Sequence, residues 1–287
     1  MVRTPTPEPD EKNSFRLLHL LPPISKVRHL ARSISWQAID TLVMRFSRKL
    51  QKLLSTELFA SAFEHLSRLT HPVNKRRILD TLDRAEFDKL REQYPYRPGS
   101  PRINRFEDVV YWIEINIERA QDLWLDCAPP MRIADLGCGA GYFLYVAKFF
   151  GHDVLGFDTD SEPLFRATTA LLDVPRVIGR IERQTPLPDL GGKFDLMTAH
   201  RICFHRIGRV RDGVEWSLAD WEFFINDVRT RFLNENGRLL LDFNPRLDGS
   251  SFFTPELRKF FLSQGARIFR SKALLGVDSN RKPSFRR

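Results

Sequence analysis

Cysteine is scarce in this chain: three in 287 residues, at positions 127, 138 and 203. An odd number without metal-ligand spacing excludes a disulfide framework and a thiolate metal site, and no metal is expected. A reducing, cytoplasmic setting is the simplest expectation. Long hydrophobic runs are also missing. None approaches the roughly 18 apolar residues of a membrane span, so none is expected to cross a bilayer. Residues 1–13 are rich in proline, threonine and acids and lack a charged-then-apolar leader, so secretion is not expected and this stretch is read as a disordered tail.

Negative charge is short at both ends. Residues 1–100 carry 18 basic and 11 acidic side chains, and residues 251–287 carry 9 and 2. These ends have two readings: ordinary solvated surface with a basic tail at 279–287, or a surface for nucleic acid or an anionic membrane. Within 24–59, Val27, Ala31, Ile34, Ala38, Leu42 and Phe46 recur at helical spacing with arginines between them. Such a helix packs on its own domain or makes peripheral membrane contact. No RNA-binding module is recognisable. Residues 14–100 are expected as a helical N-terminal extension, with a second helix at 76–93 and a proline-broken loop at 94–101. That loop, with Tyr94 and Tyr96, is either a lid or a surface linker.

From 101 to 278 the pattern predicts one α/β domain. A helix over 106–125 leads into strands at 131–136, 153–157, 176–181, 194–199 and 238–243. Helices are expected at 143–150, 163–172, 216–233 and 255–263, and a final hairpin at 266–277. Alternating strands and helices imply a doubly wound, mostly parallel Rossmann-like sheet whose ligands bind beyond the carboxyl ends of the strands.

The densest information lies in Asp135-Leu136-Gly137-Cys138-Gly139-Ala140-Gly141-Tyr142. A glycine-rich turn between strand and helix lets backbone approach a ligand closely. A dinucleotide turn reads G-x-G-x-x-G, but Tyr142 fills the place of the late glycine, which disfavours a nicotinamide dehydrogenase. At the end of the second strand stands Asp158, followed by Thr159. A carboxylate there can accept from both hydroxyls of a ribose, whereas a helix-capping role suits Asp160 or Ser161 better.

The D-x-G-x-G-x-G turn resembles motif I of the class I S-adenosylmethionine-dependent methyltransferases. Asp158 matches the ribose acid of that family. Lys193-Phe194-Asp195-Leu196-Met197-Thr198-Ala199-His200 is similar to its motif IV strand, and Asn236-Gly237 to the turn before its fifth strand. The resemblance spans 131–245. It implies a seven-stranded sheet and S-adenosylmethionine as cofactor. Asp135, Gly137, Cys138, Gly139, Gly141, Asp158, Thr159 and Ala199 are then expected at the cofactor, with Glu182 or Gln184 receiving adenine. It also implies direct methyl transfer to a small-molecule, lipid or glycan-type acceptor. RNA methylation and non-catalytic cofactor binding are the alternatives. His200, with His205 second, is the general-base choice if one is used; the other reading of His200 is packing against the cofactor. The [DN]-P-P-[YF] acceptor signature is absent after Ala199.

Overall fold

A computed structural model describes residues 72–202, 204–207, 214–244 and 252–276. The tails at 1–13 and 279–287, the stretch at 24–59 expected as an amphipathic helix, and Cys203 lie outside the described residues. Before the sheet come α1 (Lys75–Leu79), α2 (Arg84–Gln93), a 3-10 helix (Arg102–Glu107) and α3 (Val109–Asp122). The single helix expected at 76–93 is two. Asp83 is extended (φ −75°, ψ 93°) and its carboxylate caps the amide of Glu86, so it starts a new helix.

The sheet region runs β1 (Arg132–Leu136), α4 (Tyr142–Phe149), β2 (Asp153–Asp158), α5 (Pro163–Leu171), β3 (Arg176–Ile178) and β4 (Phe194–Ile202). It continues through a two-residue pair, β5 (Arg206–Ile207) and β6 (Val214–Glu215), then α6 (Leu218–Asp227), a π-helical turn (Val228–Phe232) and β7 (Leu233–Phe243). The last elements are α7 (Pro255–Ser263), β8 (Arg267–Phe269) and β9 (Lys272–Leu275). The seven-stranded order is β3-β2-β1-β4-β7-β9-β8. The first five strands of that order pair in parallel, and the β9–β8 hairpin adds antiparallel to β7. This is the doubly wound sheet that the strand–helix alternation predicts, with the order reversing between β1 and β4.

Besides β7, which begins at Leu233 and not at 238, and the helix expected over 106–125, which is a 3-10 helix followed by α3, three boundaries bear on the site. β3 stops at Ile178 rather than 181. A Cβ on the following Gly179 would meet the Phe157 ring at 2.7 Å, so only glycine lets the chain pass there. β4 continues past 199 because Ile202 pairs with Phe243 across a register shift, which puts His200 on the strand and not in the loop after it. The long helix of 216–233 begins at a capping box, where Ser217 and Asp220 exchange hydrogen bonds, and its last turn is π-helical.

Hydrophobic cores cover both faces. One holds Leu136, Phe157, Met197, Trp221, Phe224, Phe243 and Phe261 under α6 and α7. The other holds Ile133, Leu144, Val146, Ile113 and Ile117 under α3 and α4, and Ile78 and Phe87 from α1 and α2 join it. Trp221 is 1% exposed and its ring touches those of Trp216, Phe243 and Phe261. Trp221→Ala should lower unfolding free energy by about 3–5 kcal/mol, read as a fall in the urea midpoint at unchanged slope.

Candidate functional site

β1 ends in a chain that must reverse and enter α4 within a few residues. Gly137, Gly139 and Gly141 all take positive φ (77°, 54° and 79°). At Gly141 a Cβ would also lie 2.9 Å from Cγ2 of Thr169, so the position excludes any side chain. At Gly137 a Cβ would meet nothing within 4 Å, because the space over it is open cleft. The turn is pinned from β2: the Phe157 carbonyl accepts from the amides of Gly137 (2.7 Å) and Cys138 (3.2 Å). The Cys138 carbonyl accepts from Gly141 within the turn at 2.9 Å, and burial pushes the thiol well above its ordinary pKa.

Asp158 closes this end of the site. Its Oδ2 accepts from the Gly139 amide at 2.6 Å and its Oδ1 from the Thr159 amide at 2.6 Å. A carboxylate has about four lone-pair positions; Oδ2 keeps one for a ligand hydroxyl, and on Oδ1 the second is taken by a long contact from the Thr159 hydroxyl at 3.4 Å, which a ligand hydroxyl can displace because Thr159 also bonds Ser161 at 2.9 Å. Asp135 lies one strand over, paired with Gly156 on β2 and Thr198 on β4. It is 3% exposed and accepts from the Thr198 hydroxyl at 2.7 Å. Burial raises its pKa from 3.8 to about 7, with help from the Asp158 charge and against the Thr198 hydrogen bond and the Arg119 charge.

A cleft of about 1130 Å³ opens along this edge. Asp135, Gly137, Cys138, Gly139, Gly141, Asp158, Thr159, Glu182 and His200 all line it. Ala199, Gln184 and His205 are not among the lining residues. Ala199 is fully buried in the core. Gln184 donates to Asp220 at 2.8 Å, tying its loop to the start of α6. His205 is buried with Trp221, Phe243 and Phe252 around its ring.

His200 is packed edge-on to Phe143, their ring centroids 4.5 Å apart. Neither ring nitrogen has a hydrogen-bond partner among the described residues, and the same holds for Nε1 of Trp216, another lining residue. Burial, then the charges of Arg119, Lys272 and Arg201, push the His200 pKa well below 6.5, so the ring is neutral at neutral pH.

Several lining residues lie outside the motifs. Phe106, in the 3-10 helix, stacks on Trp112 at 4.2 Å, and its carbonyl accepts from the Tyr142 hydroxyl at 2.7 Å. Asn116 and Arg119, on α3, also face the cleft, as does Asn244 after β7. Helical spacing in 106–125 marks α3 as amphipathic, and polar Asn116 and Arg119 within that pattern are the only hint in sequence. The 94–101 loop, the lid candidate, contributes no lining residue; 103–106 does.

No family profile and no curated protein matches the chain. Among solved structures it is similar to several methyltransferases. The ribosomal protein L11 methylase of Lactobacillus delbrueckii subsp. bulgaricus is 18% identical over 59% of this chain and 77% of that one, with a TM-score of 0.35. CalS10 of Micromonospora echinaspora, an amino pentose methyltransferase solved with S-adenosylmethionine bound, is 22% identical over 50% and 52%, with a TM-score of 0.34. The glycopeptide N-methyltransferase MtfA is 17% identical over 45% and 52%, with a TM-score of 0.33. This chain thus spans about half the length of the last two. At these scores the likeness assigns no activity to this chain.

Because Asp135 holds its proton more tightly folded than unfolded, its ionisation costs stability progressively from pH about 4 to about 7. Asp135→Asn should therefore gain on the wild type as pH rises through that window. Urea midpoints of the two proteins at acid and at mildly alkaline pH check the widening gap.

Proposed function

We propose that the cleft holds S-adenosylmethionine and that the protein is a methyltransferase acting on an acceptor of small-molecule, lipid or glycan type. The carrying observation is the arrangement of Asp158 against the glycine turn. A carboxylate with acceptor capacity and a side-chain-free backbone, joined by the 2.6 Å hydrogen bond from the Gly139 amide, border the same open cleft at the carboxyl ends of β1 and β2. Asp158 suits two ribose hydroxyls, held at the right rotation by the Gly139 and Thr159 amides. Glu182, on the loop after β3, suits the adenine amino group as acceptor; Gln184, turned to Asp220, does not. Asp135 suits the cationic end, since a nearby positive charge offsets the desolvation that raises its pKa.

When bound, the cofactor supplies a methyl group on a sulfonium already activated for displacement, so the protein's work is placement and proton handling. His200 is neutral and neither ring nitrogen has a hydrogen-bond partner among the described residues, so one nitrogen can accept a hydrogen bond from the acceptor's hydroxyl or amine and align its lone pair with the methyl group. Phe143 fixes its ring. Trp216 Nε1 remains as a donor to orient the acceptor, and Phe204 and Ile202 exclude water beside it. His205, enclosed by aromatic rings away from the cleft wall, is left out of this role.

Calorimetry with S-adenosylmethionine should show binding that Asp158→Ala weakens by at least about tenfold, the loss of two charge-assisted hydrogen bonds. Unchanged affinity in that variant overturns the ribose assignment. Incubation with the methyl-labelled donor and fractionated lipid, glycan, RNA and small-molecule extracts should label a non-RNA fraction in the wild type and much less in His200→Ala. Label confined to RNA overturns the acceptor class.

A further inference from the structure

Helix α3 presents a stripe of side chains to the cleft that none of the cofactor contacts above involves. Tyr111, Ile115 and Arg119 are spaced four residues apart, so they lie above one another on one helix face. All three line the cleft, and between them Trp112 and Asn116 do so too. From Arg119 back to Tyr111 the helix rises about 12 Å. Arg119 is near enough to His200 for its charge to act on that ring. Tyr111, 54% exposed, marks the outer end. Ile103 and Phe106 of the 3-10 helix line the same cleft. Outward from Arg119, this wall offers rings and aliphatic carbon with no charged group of α3.

Most polar groups around it are engaged by the protein itself. Asn116 donates from Nδ2 to the Trp112 carbonyl at 2.8 Å and accepts from Nη1 of Arg119 at 3.0 Å. Asn244 donates to the carbonyls of Arg201 at 2.8 Å and Ile202 at 3.2 Å. Arg183 faces Asp220 at 3.8 Å and Arg201 faces Asp242 at 3.7 Å. Arg105 lies over the rings of Phe106 and Trp112, at 5.1 and 5.6 Å, and Arg180 is exposed to water. The buried groups left over are Nε1 of Trp216, a donor, and the two ring nitrogens of His200; none has a hydrogen-bond partner among the described residues. The Phe204 ring stands 5.5 Å from that of Trp216 and adds carbon, not polarity.

This inventory discriminates among acceptors. A glycan brings a hydroxyl on nearly every carbon, and each one buried without a partner weakens binding by about tenfold or more. An acceptor with a single hydroxyl or amine matches what is left: that group accepts from Trp216 and donates to a His200 nitrogen. The rest of such a molecule needs carbon to rest on, and the α3 stripe supplies it. Room is sufficient, since the cleft of about 1130 Å³ exceeds the roughly 300–1000 Å³ of a site for one small ligand. The open end at Tyr111 lets a long body continue to the surface.

We propose that the acceptor is an amphipathic molecule, with one reacting hydroxyl or amine at His200 and Trp216 and an elongated apolar body laid along Ile115 and Tyr111. This rests on the methyltransferase reading above and narrows its acceptor to the apolar kinds, against glycans. Tyr111 and Ile115 then select acceptors by the length of their apolar part and add nothing to the binding of the methyl donor.

The probes are para-ethyl-, para-butyl- and para-hexylphenol, with methyl glucoside as a polar counterpart. The full chain, saturated with S-adenosylhomocysteine, is titrated with each by calorimetry, as wild type, Tyr111→Ser and Trp216→Phe, with thermal melting of each free protein. Wild-type affinity should rise roughly two- to fourfold for each added methylene. The glucoside should bind at least about tenfold more weakly than butylphenol. Tyr111→Ser, at an exposed position, should leave S-adenosylhomocysteine within about twofold and cut the advantage of hexyl over ethyl by at least about threefold. Trp216→Phe should weaken the three phenols alike, by about three- to tenfold, and keep their ratios. A flat series in the wild type, a glucoside bound as tightly as the phenols, or an undiminished hexyl advantage in Tyr111→Ser overturns the proposal while leaving the cofactor reading standing. Wild-type protein that binds no S-adenosylhomocysteine overturns the cofactor reading and the proposal with it. Should Trp216→Phe melt out, the comparison of wild type with Tyr111→Ser decides.

Discussion

The Phe157 carbonyl, accepting from two successive amides of the glycine turn, is the contact on which the site depends. It binds the loop after β1 to the end of β2, and so brings Asp158 beneath the Gly139 amide. Without it, the turn could leave β1 in other directions that its three positive-φ glycines allow. The next residue, Asp158, then shares its two oxygens between the turn and its own loop. One peptide group thus sets both the floor of the cleft and the rotation of the carboxylate above it.

Electrostatics divide the cleft along its length. At the β2 end lies a carboxylate supported by amides. In the middle lies Asp135, buried enough to hold its proton near neutral pH. At the β4 and β7 end, His200 is kept neutral by burial among Arg119, Lys272 and Arg201. A ligand with a polar sugar and a positive centre meets a complementary group at the first two stages. An uncharged nucleoside would satisfy only the first.

Much of this was legible in the residues, for local reasons. The glycine spacing, the acid following an apolar strand and the strand–helix alternation are short-range patterns, and the backbone obeys them because hydrogen-bond geometry and φ restrictions act over a few residues. Helix α7 was placed at 255–263 because proline opens it and a polar turn closes it. What could not be read depends on pairing between distant segments. β4 runs to Ile202 because Phe243 is there to receive it, which moved His200 from loop to strand. Gln184 was drawn away by Asp220 and His205 by a ring of aromatics, contacts that no spacing announces. Arg119 read as one polar position on an amphipathic helix, since nothing in sequence tells a solvated arginine from one facing a cleft.

Asp195 has a bearing on the order of assembly. One oxygen of its carboxylate accepts from the Arg132 amide at 2.9 Å, and the other from Asn234 Nδ2 at 2.7 Å. These groups stand 63 and 39 residues away along the chain. Loops of such length close slowly relative to helix formation, and each closure must precede the contacts that reward it. The three strands at the centre of the sheet therefore lock at their amino-terminal ends late, when the last of them arrives. A nascent chain that has completed the glycine turn and Asp158 but not yet Asn234 holds half of a binding site and no rigid floor beneath it. On the proposed function, ligand capture would in this sense report that the centre of the sheet has closed.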